Sequence, residues 1–411
     1  SKNMSQIGSL KSYTNRTILI IFAILFGLIS SRALVSIGTL LLAFNLIISS
    51  KEHKWQFVKI GNFGILSGTI FFLTSLTFVL FSPDISHAFK QVYYRLPWLI
   101  IPLSIAAISK PKTINLNLVL AFFVGIISVS GMVVLVNYFS NYEYYTAQIA
   151  LAKNIPTPLN HIRYSLMVAF AGLTSIYFTV KDKLYIAPND RIFMGVASFF
   201  LFVLIHVLSV RSGLISYYLG LIFLIVYFAF YFRKFWVVPL FGLAIIAMPF
   251  IAYQAFPSFQ NKVAYMKYDV EQIKAGNIGH NSDGRRWRSL KMAKVLITKK
   301  PLMGYGCGQA ETVSKKYYQE NFPNVAEQNQ KVPHNQFLFS AIEMGVFGAL
   351  AVFLVFFSPL IQKGVLRNPL YITLWIIILS STLVENTFES QIGMSFFLVM
   401  GSLLLKHRKD E

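Results

Sequence analysis

Long apolar runs, each followed by a short polar connection, recur from near the start of the chain to near its end. A helix that crosses a bilayer needs roughly 20 mostly apolar residues. Runs of about that length lie at 17–31, 34–50, 59–81, 95–109, 115–138, 163–180, 192–210, 212–232, 235–255, 336–360, 369–384 and 389–405. The pattern predicts an all-α polytopic membrane protein with twelve transmembrane helices. Lys2, Lys11 and Arg16 precede the first run and no small-residue cleavage site ends it, so it reads as a span and not as a removed signal.

One connection breaks the rhythm. Between the ninth and tenth runs, residues 257–335 are mostly polar and far too long for a structureless loop in a compact fold. The chain therefore divides into spans one to nine over 1–256, a loop domain over 257–335, and spans ten to twelve with a short basic tail over 336–411. Within the loop, Ser282 or Asp283 is placed to cap a helix that begins near Arg285 and stops before Pro301. Trp287, Leu290, Ala293 and Ile297 share one face of it while Arg288, Lys291 and Lys294 cover the others, a pattern suited to a membrane surface. The Gly304-Tyr305-Gly306-Cys307-Gly308 run that follows predicts a turn and lacks the Lys-Ser/Thr ending of a phosphate-binding P-loop.

Composition agrees with the pattern: 55% of the 411 residues are hydrophobic and 13% charged. The net charge of +21 would suggest nucleic acid in a soluble protein. Here the Lys and Arg lie mostly between spans, where they set orientation, and no nucleic-acid partner is expected. With the first terminus inside, the inner segments hold 18 of the 37 basic residues (among them Lys51, Lys54, Lys59, Lys110, Lys112, Lys183, Arg408 and Lys409), the short outer segments 6 and the long loop 13. Short cytoplasmic loops carry the excess of positive charge, so both termini are expected in the cytoplasm and the loop domain outside. Cys307 is the single cysteine, which excludes an internal disulfide. No Asp-X-Asp pair occurs and the seven histidines are dispersed, so no metal site and no cofactor is expected.

Unusual polar residues collect on the outer edge: Arg95, His161, Arg163, Arg211, Arg285, Arg286, His334, Glu385 and Glu389. Arg211 stands between two apolar runs, where a charge needs a partner or a headgroup. Its planar fork also suits phosphate oxygens. Arg285 and Arg286 open a helix whose free N–H groups favour an anion, although surface solvation alone would explain them. Arg95 is either an interfacial anchor or an extension of the same basic lining. His334 and Asn335 open a span; a neutral imidazole there is a general base for a hydroxyl or simply a helix-start residue. Glu343, inside that span, is expected to pair with an arginine or to face water. His161 and Arg163 form a second, weaker cluster.

Together these residues resemble the O-antigen ligase and polymerase superfamily. The likeness rests on Val210-Arg211-Ser212-Gly213, on Arg286 fifteen residues before Pro301-Leu302-Met303-Gly304-Tyr305-Gly306, and on His334-Asn335 followed by Glu343-Met344-Gly345. It covers roughly 160–400, with the first five spans alike in hydropathy only. Arg285 adjoins Arg286, and Leu290 stands where the family has an aromatic residue. The resemblance implies a GT-C type, metal-independent inverting glycosyltransferase of the bacterial inner membrane, with its site facing the periplasm. It implies an undecaprenyl diphosphate-linked glycan as donor. The acceptor would be a lipid A core sugar for a ligase, a lipid-linked repeat unit for a polymerase, or a protein for an oligosaccharyltransferase. By position, Arg211 and Arg286 would hold the diphosphate and His334 would be the base, with Arg285, Arg95, His161, Arg163, Asn335 and Glu343 binding substrate. A lipid-linked glycan flippase is the reading from a different class, disfavoured because transporters place polar sites near the midplane and show repeats.

Overall fold

The computed structural model describes residues 12–49, 63–108, 114–150, 153–181, 189–275 and 282–407. Among these residues all regular structure is helical. Lys2, Lys11, Lys51, Lys54, Lys59, Lys110, Lys112, Lys183, Arg408 and Lys409, used above for orientation, lie outside the described residues, as do the side chains of Ser282 and Asp283.

The helices are α1 (Tyr13–Ser30), α2 (Arg32–Ile48), α3 (Phe63–Thr77, extended by a 3-10 turn to Phe81), α4 (Ile85–Tyr94), α5 (Pro97–Ala106), α6 (Leu116–Ser140) and α7 (Tyr142–Ala150). They continue with α8 (His161–Val180), α9 (Asp190–Leu208), α10 (Arg211–Phe232), α11 (Val237–Ala255), α12 (Pro257–Lys274), α13 (Ser282–Lys299) and α14 (Ala310–Asn321). The last three are α15 (Gln336–Phe357), α16 (Pro369–Val384) and α17 (Gln391–Lys406). A helix occupies each of the twelve apolar runs. Among the described residues seven are long and apolar enough to cross a membrane: Tyr13–Ser30, Phe63–Phe81, Leu116–Ser140, Asp190–Leu208, Arg211–Phe232, Val237–Ala255 and Gln336–Ile361. Arg32–Ile48, Pro369–Val384 and Gln391–Lys406 are apolar but shorter.

The centre of the bundle is built on α8 and α17, which are buried along most of their length. Trp98, fully enclosed, meets Phe388 edge-on at 4.6 Å and Phe71 at 5.2 Å, and Phe356 and Phe397 close the cluster. By contrast α11 buries only Ala252. An apolar helix so little covered by protein is the peripheral one, expected to face lipid.

Three helix starts at one end of the bundle are fixed by side-chain caps, which satisfy N–H groups that the helix itself leaves free. Asn160 accepts from Ile162 at 3.0 Å, Asn335 from Leu338 at 3.0 Å, and Ser390 from Gly393 at 3.1 Å. Each cap sits within three residues of a charged or titratable candidate, respectively Arg163, His334 and Glu389.

Helix α13 differs from its expected packing. Its buried face is Ser289, Met292, Ala293 and Leu296, set against Phe339 and Ile342 of α15 and Tyr318 of α14. Trp287 is instead 48% exposed, with the Lys291 ammonium 5.5 Å from its ring centre. Met292 and Leu296 form an apolar stripe of their own, and the larger burial available against α15 selects it.

Candidate functional site

The turn after α13 does not lie on the bundle; it is threaded into it. Helix α15 breaks at Met344 and Gly345, where φ and ψ of Gly345 reach 59° and −146°. A break inside a buried helix strands backbone groups that must find partners. The loop supplies them: Tyr305 and Gly306 N–H donate to the carbonyls of Ile342 and Glu343 at 2.9 and 2.8 Å, and Val346 N–H donates to Pro301 at 2.9 Å. Approach this close needs hydrogen in place of a side chain. A Cβ on Gly304 would stand 2.6 Å from the Glu343 carbonyl, and one on Gly345 would overlap the Leu302 carbonyl oxygen. The Gly-rich run is therefore a docking element, and it fixes α13 and α14 over the end of the bundle.

Under this docking point lies a buried charge network. Arg95 and Glu343, each 2% exposed, pair at 2.7 Å, and the same guanidinium nitrogen reaches Glu389 at 2.9 Å. Arg95 also donates to Ser75 at 3.0 Å and lies 5.2 Å from the Phe71 ring centre. The other Glu343 oxygen accepts from Gly308 N–H at 3.0 Å, and Glu389 accepts from Gln336 at 2.8 Å. Arg95 and Glu343 thus pair with one another in the core. Cys307, fully buried beside Arg95, has its thiol pushed up to about 12 by burial.

A second cluster forms around Glu385, on the link Glu385–Ser390 between α16 and α17. Glu385 is 3% exposed; one carboxylate oxygen pairs with Arg286 at 2.6 Å and the other with His334 Nδ1 at 3.0 Å. Burial works against its ionised form, but the His334 hydrogen bond and the charges of His334, Arg286 and Arg163 outweigh it and hold the carboxyl below its ordinary value. An ionised carboxylate only accepts, so Nδ1 of His334 carries a proton, and whenever the ring is neutral Nε2 is its acceptor. His334 and Arg286 are 27% and 34% exposed, so both remain reachable. The link itself is pinned: Phe388 N–H donates to Gln336 at 2.9 Å, Asn335 donates to the Leu383 carbonyl at 2.9 Å, and Arg163 to that of Asn386 at 3.2 Å.

Of the residues singled out from sequence, Arg286, His334, Asn335 and Arg163 converge on this link. Arg211 shares its level. Ser216 of α10 bonds Ser380 of antiparallel α16 at 2.8 Å. Arg211 and Glu385 lie five residues from those serines toward the same end, about 7.5 Å along the axes. Arg285 points elsewhere, to Asn329 at 3.2 Å. His161 stands at the start of α8 within 3.2 Å of Asn154. Arg95 and Glu343 belong to the deeper network. Glu385 and Glu389 were visible in the sequence only as outer-edge acids, and Gln336 carried no signal beyond its place at a helix start. No group of three or more potential metal ligands occurs among the described residues.

A comparison with curated proteins finds no match. Residues 196–353, which run from α9 through the docking turn and His334 into α15, match the family model described as O-antigen ligase. The match supports a place for this part of the chain in the O-antigen ligase and polymerase superfamily, whose members are glycosyltransferase-like enzymes.

Proposed function

We propose that the protein transfers a glycan from undecaprenyl diphosphate to a sugar hydroxyl, as an O-antigen ligase acting on the lipid A core at the periplasmic face of the bacterial inner membrane. The reading is a twelve-span, GT-C type architecture with both termini in the cytoplasm and residues 257–335 as the outer domain. The observation that carries it is the bridge from Arg286 through Glu385 to His334, which unites an anion-binding side chain and a proton acceptor at one partly open place.

Glu385 holds the imidazole so that Nε2 takes the proton from the acceptor hydroxyl as its oxygen attacks the anomeric carbon from the face opposite the diphosphate. The bond to the diphosphate oxygen breaks and the configuration inverts. Arg286 and Arg211 bear the charge that grows on the departing diphosphate. Arg163 adds positive potential from beneath the link. Arginines fill the place that a divalent metal takes in other sugar transfers, and the reaction is expected to proceed with chelator present.

The test is transfer by the purified protein with labelled lipid-linked donor and acceptor. Arg211→Ala and His334→Ala should each lower the rate on the order of 100-fold to 1000-fold, without loss of membrane insertion. Normal rates in both variants would reject the assignment, and absence of any bond formation in the wild type would favour a transporter. Product mass identifies the acceptor: one glycan on lipid A core for a ligase, lengthened lipid-linked chains for a polymerase, or modified protein for an oligosaccharyltransferase.

A further inference from the structure

A cavity of about 580 Å³ opens on the other side of α17, between α2, α5 and the end of α4. Its volume falls within the range of small-molecule sites. Along α2 it is lined by Arg32, Ser36, Thr39 and Leu40, a stripe that descends about 12 Å from the helix start. Polarity changes with depth. Arg32, Ser36, Gln91, Ser390 and Gln391 gather at the end that carries Glu385 and Glu389, whereas Leu40, Ile100 and Met394 line the part beside the apolar helices. A head with hydrogen-bonding groups above and a hydrocarbon chain below matches that gradient.

Three observations narrow the head. Arg32 is exposed at the mouth and no hydrogen bond or ion pair engages its guanidinium among the described residues. On the inner wall Arg95 and Glu389 both face the cavity, and the buried Nε–H of Arg95 has no acceptor among the described residues. Third, one guanidinium there serves two carboxylates, Glu343 and Glu389, so acidic groups outnumber basic ones on that wall. Buried charge of that kind is costly unless a donor or cation lies beside it. The site therefore has a free positive group outermost and an excess negative group within.

We propose that this cavity binds the zwitterionic head of a phospholipid of the phosphoethanolamine type, its phosphate on Arg32 and its ammonium toward Glu389, with the chain between Leu40, Ile100 and Met394. A primary ammonium has three N–H donors for a carboxylate; a choline head has none, and a glycerol head lacks the charge. The site is separate from the Arg286, Glu385 and His334 cluster and does not depend on the transfer chemistry.

The experiment is native mass spectrometry of the full chain in detergent with phosphatidylethanolamine, phosphatidylcholine and phosphatidylglycerol of identical chains at equal concentration. A further arm adds soluble glycerophosphoethanolamine as competitor. Phosphatidylethanolamine should be retained about tenfold better than either other lipid, the value of one charge-assisted hydrogen bond. Arg32→Gln should weaken retention of all three lipids, because each carries the phosphate, whereas Leu40→Trp, which fills the cavity from its lipid-facing side, should remove the preference; lipid-free melting temperatures should match the wild type. Competition by the soluble head assigns the preference to head recognition; its failure alongside retained preference assigns it to head and chain jointly, and both support the site. Equal retention of all three lipids, or a preference that survives Leu40→Trp, would overturn it. Selective loss of the lipid-linked glycan in Leu40→Trp would also overturn it.

Discussion

Glu385→Gln is the substitution that separates the proposed proton acceptor from a merely structural histidine. The amide keeps the shape of the carboxylate but has one acceptor and one donor end. Arg286 has only N–H groups to offer, at 2.6 Å, so the Gln oxygen must face it. The NH2 end then faces His334, where Nδ1 becomes the acceptor and the ring proton moves to Nε2, the nitrogen needed to receive the hydroxyl proton. The opposite amide orientation sets donor against donor and costs about 1–3 kcal/mol, which leaves only a minor population in the working tautomer. Loss of a positioned general base lowers the rate on the order of 100-fold to 10,000-fold. The fall should appear in kcat, with the KM for donor little changed, because Arg286 keeps an acceptor and its place. Single-turnover transfer with labelled lipid-linked donor measures this directly. A Gln variant that turns over at the wild-type rate would show that neither the tautomer of His334 nor its bond to Glu385 matters, and the proposed chemistry would have to be abandoned.

Gly345→Ala should destabilise the protein by more than the about 1–3 kcal/mol of backbone strain at such a conformation, because the added methyl also overlaps the Leu302 carbonyl. A fall in the detergent melting temperature beyond that of Gly242→Ala, where open space surrounds the Cβ, checks it. Cys307, buried and with its thiol raised to about 12, should resist a thiol reagent at pH 8 until the protein is denatured; rapid labelling of the native protein would contradict the burial. The lowered carboxyl of Glu385 adds stability that is complete above its unfolded value, about 4.3, and is lost as pH falls through the lower native value. The stability difference between wild type and Glu385→Gln should accordingly narrow in acid, as the pH falls below about 4.3.

The helices were legible because hydrophobic runs of the right length admit little else, and the helical starts at His161, Arg211 and Gln336 agree with their expected positions within a few residues. The break at Gly345 was not, since a helix can run on through Glu343-Met344-Gly345 and only the docking turn, about forty residues earlier, requires it. Glu343 was expected to need an arginine; Arg95 lies 248 positions away, a separation no local pattern encodes. The choice between Arg285 and Arg286 turns on about 100° of helix rotation, set by the burial of Met292 and Leu296. Glu385 stood out in the sequence as an outer-edge acid but without a role, because its partners are 51 and 99 residues distant.

The threading of the Pro301–Gly306 segment into the broken helix acts as an index stop. A slip of one position would bring Met303 or Tyr305 to the spot of Gly304, which tolerates no side chain, so the two segments register in a single way. The spacing between the arginine on α13 and the histidine ahead of α15 is consequently dictated by main-chain pairing, not by how far flexible side chains stretch. A rigid caliper of this sort would select among ligands by the gap between their charged and nucleophilic ends.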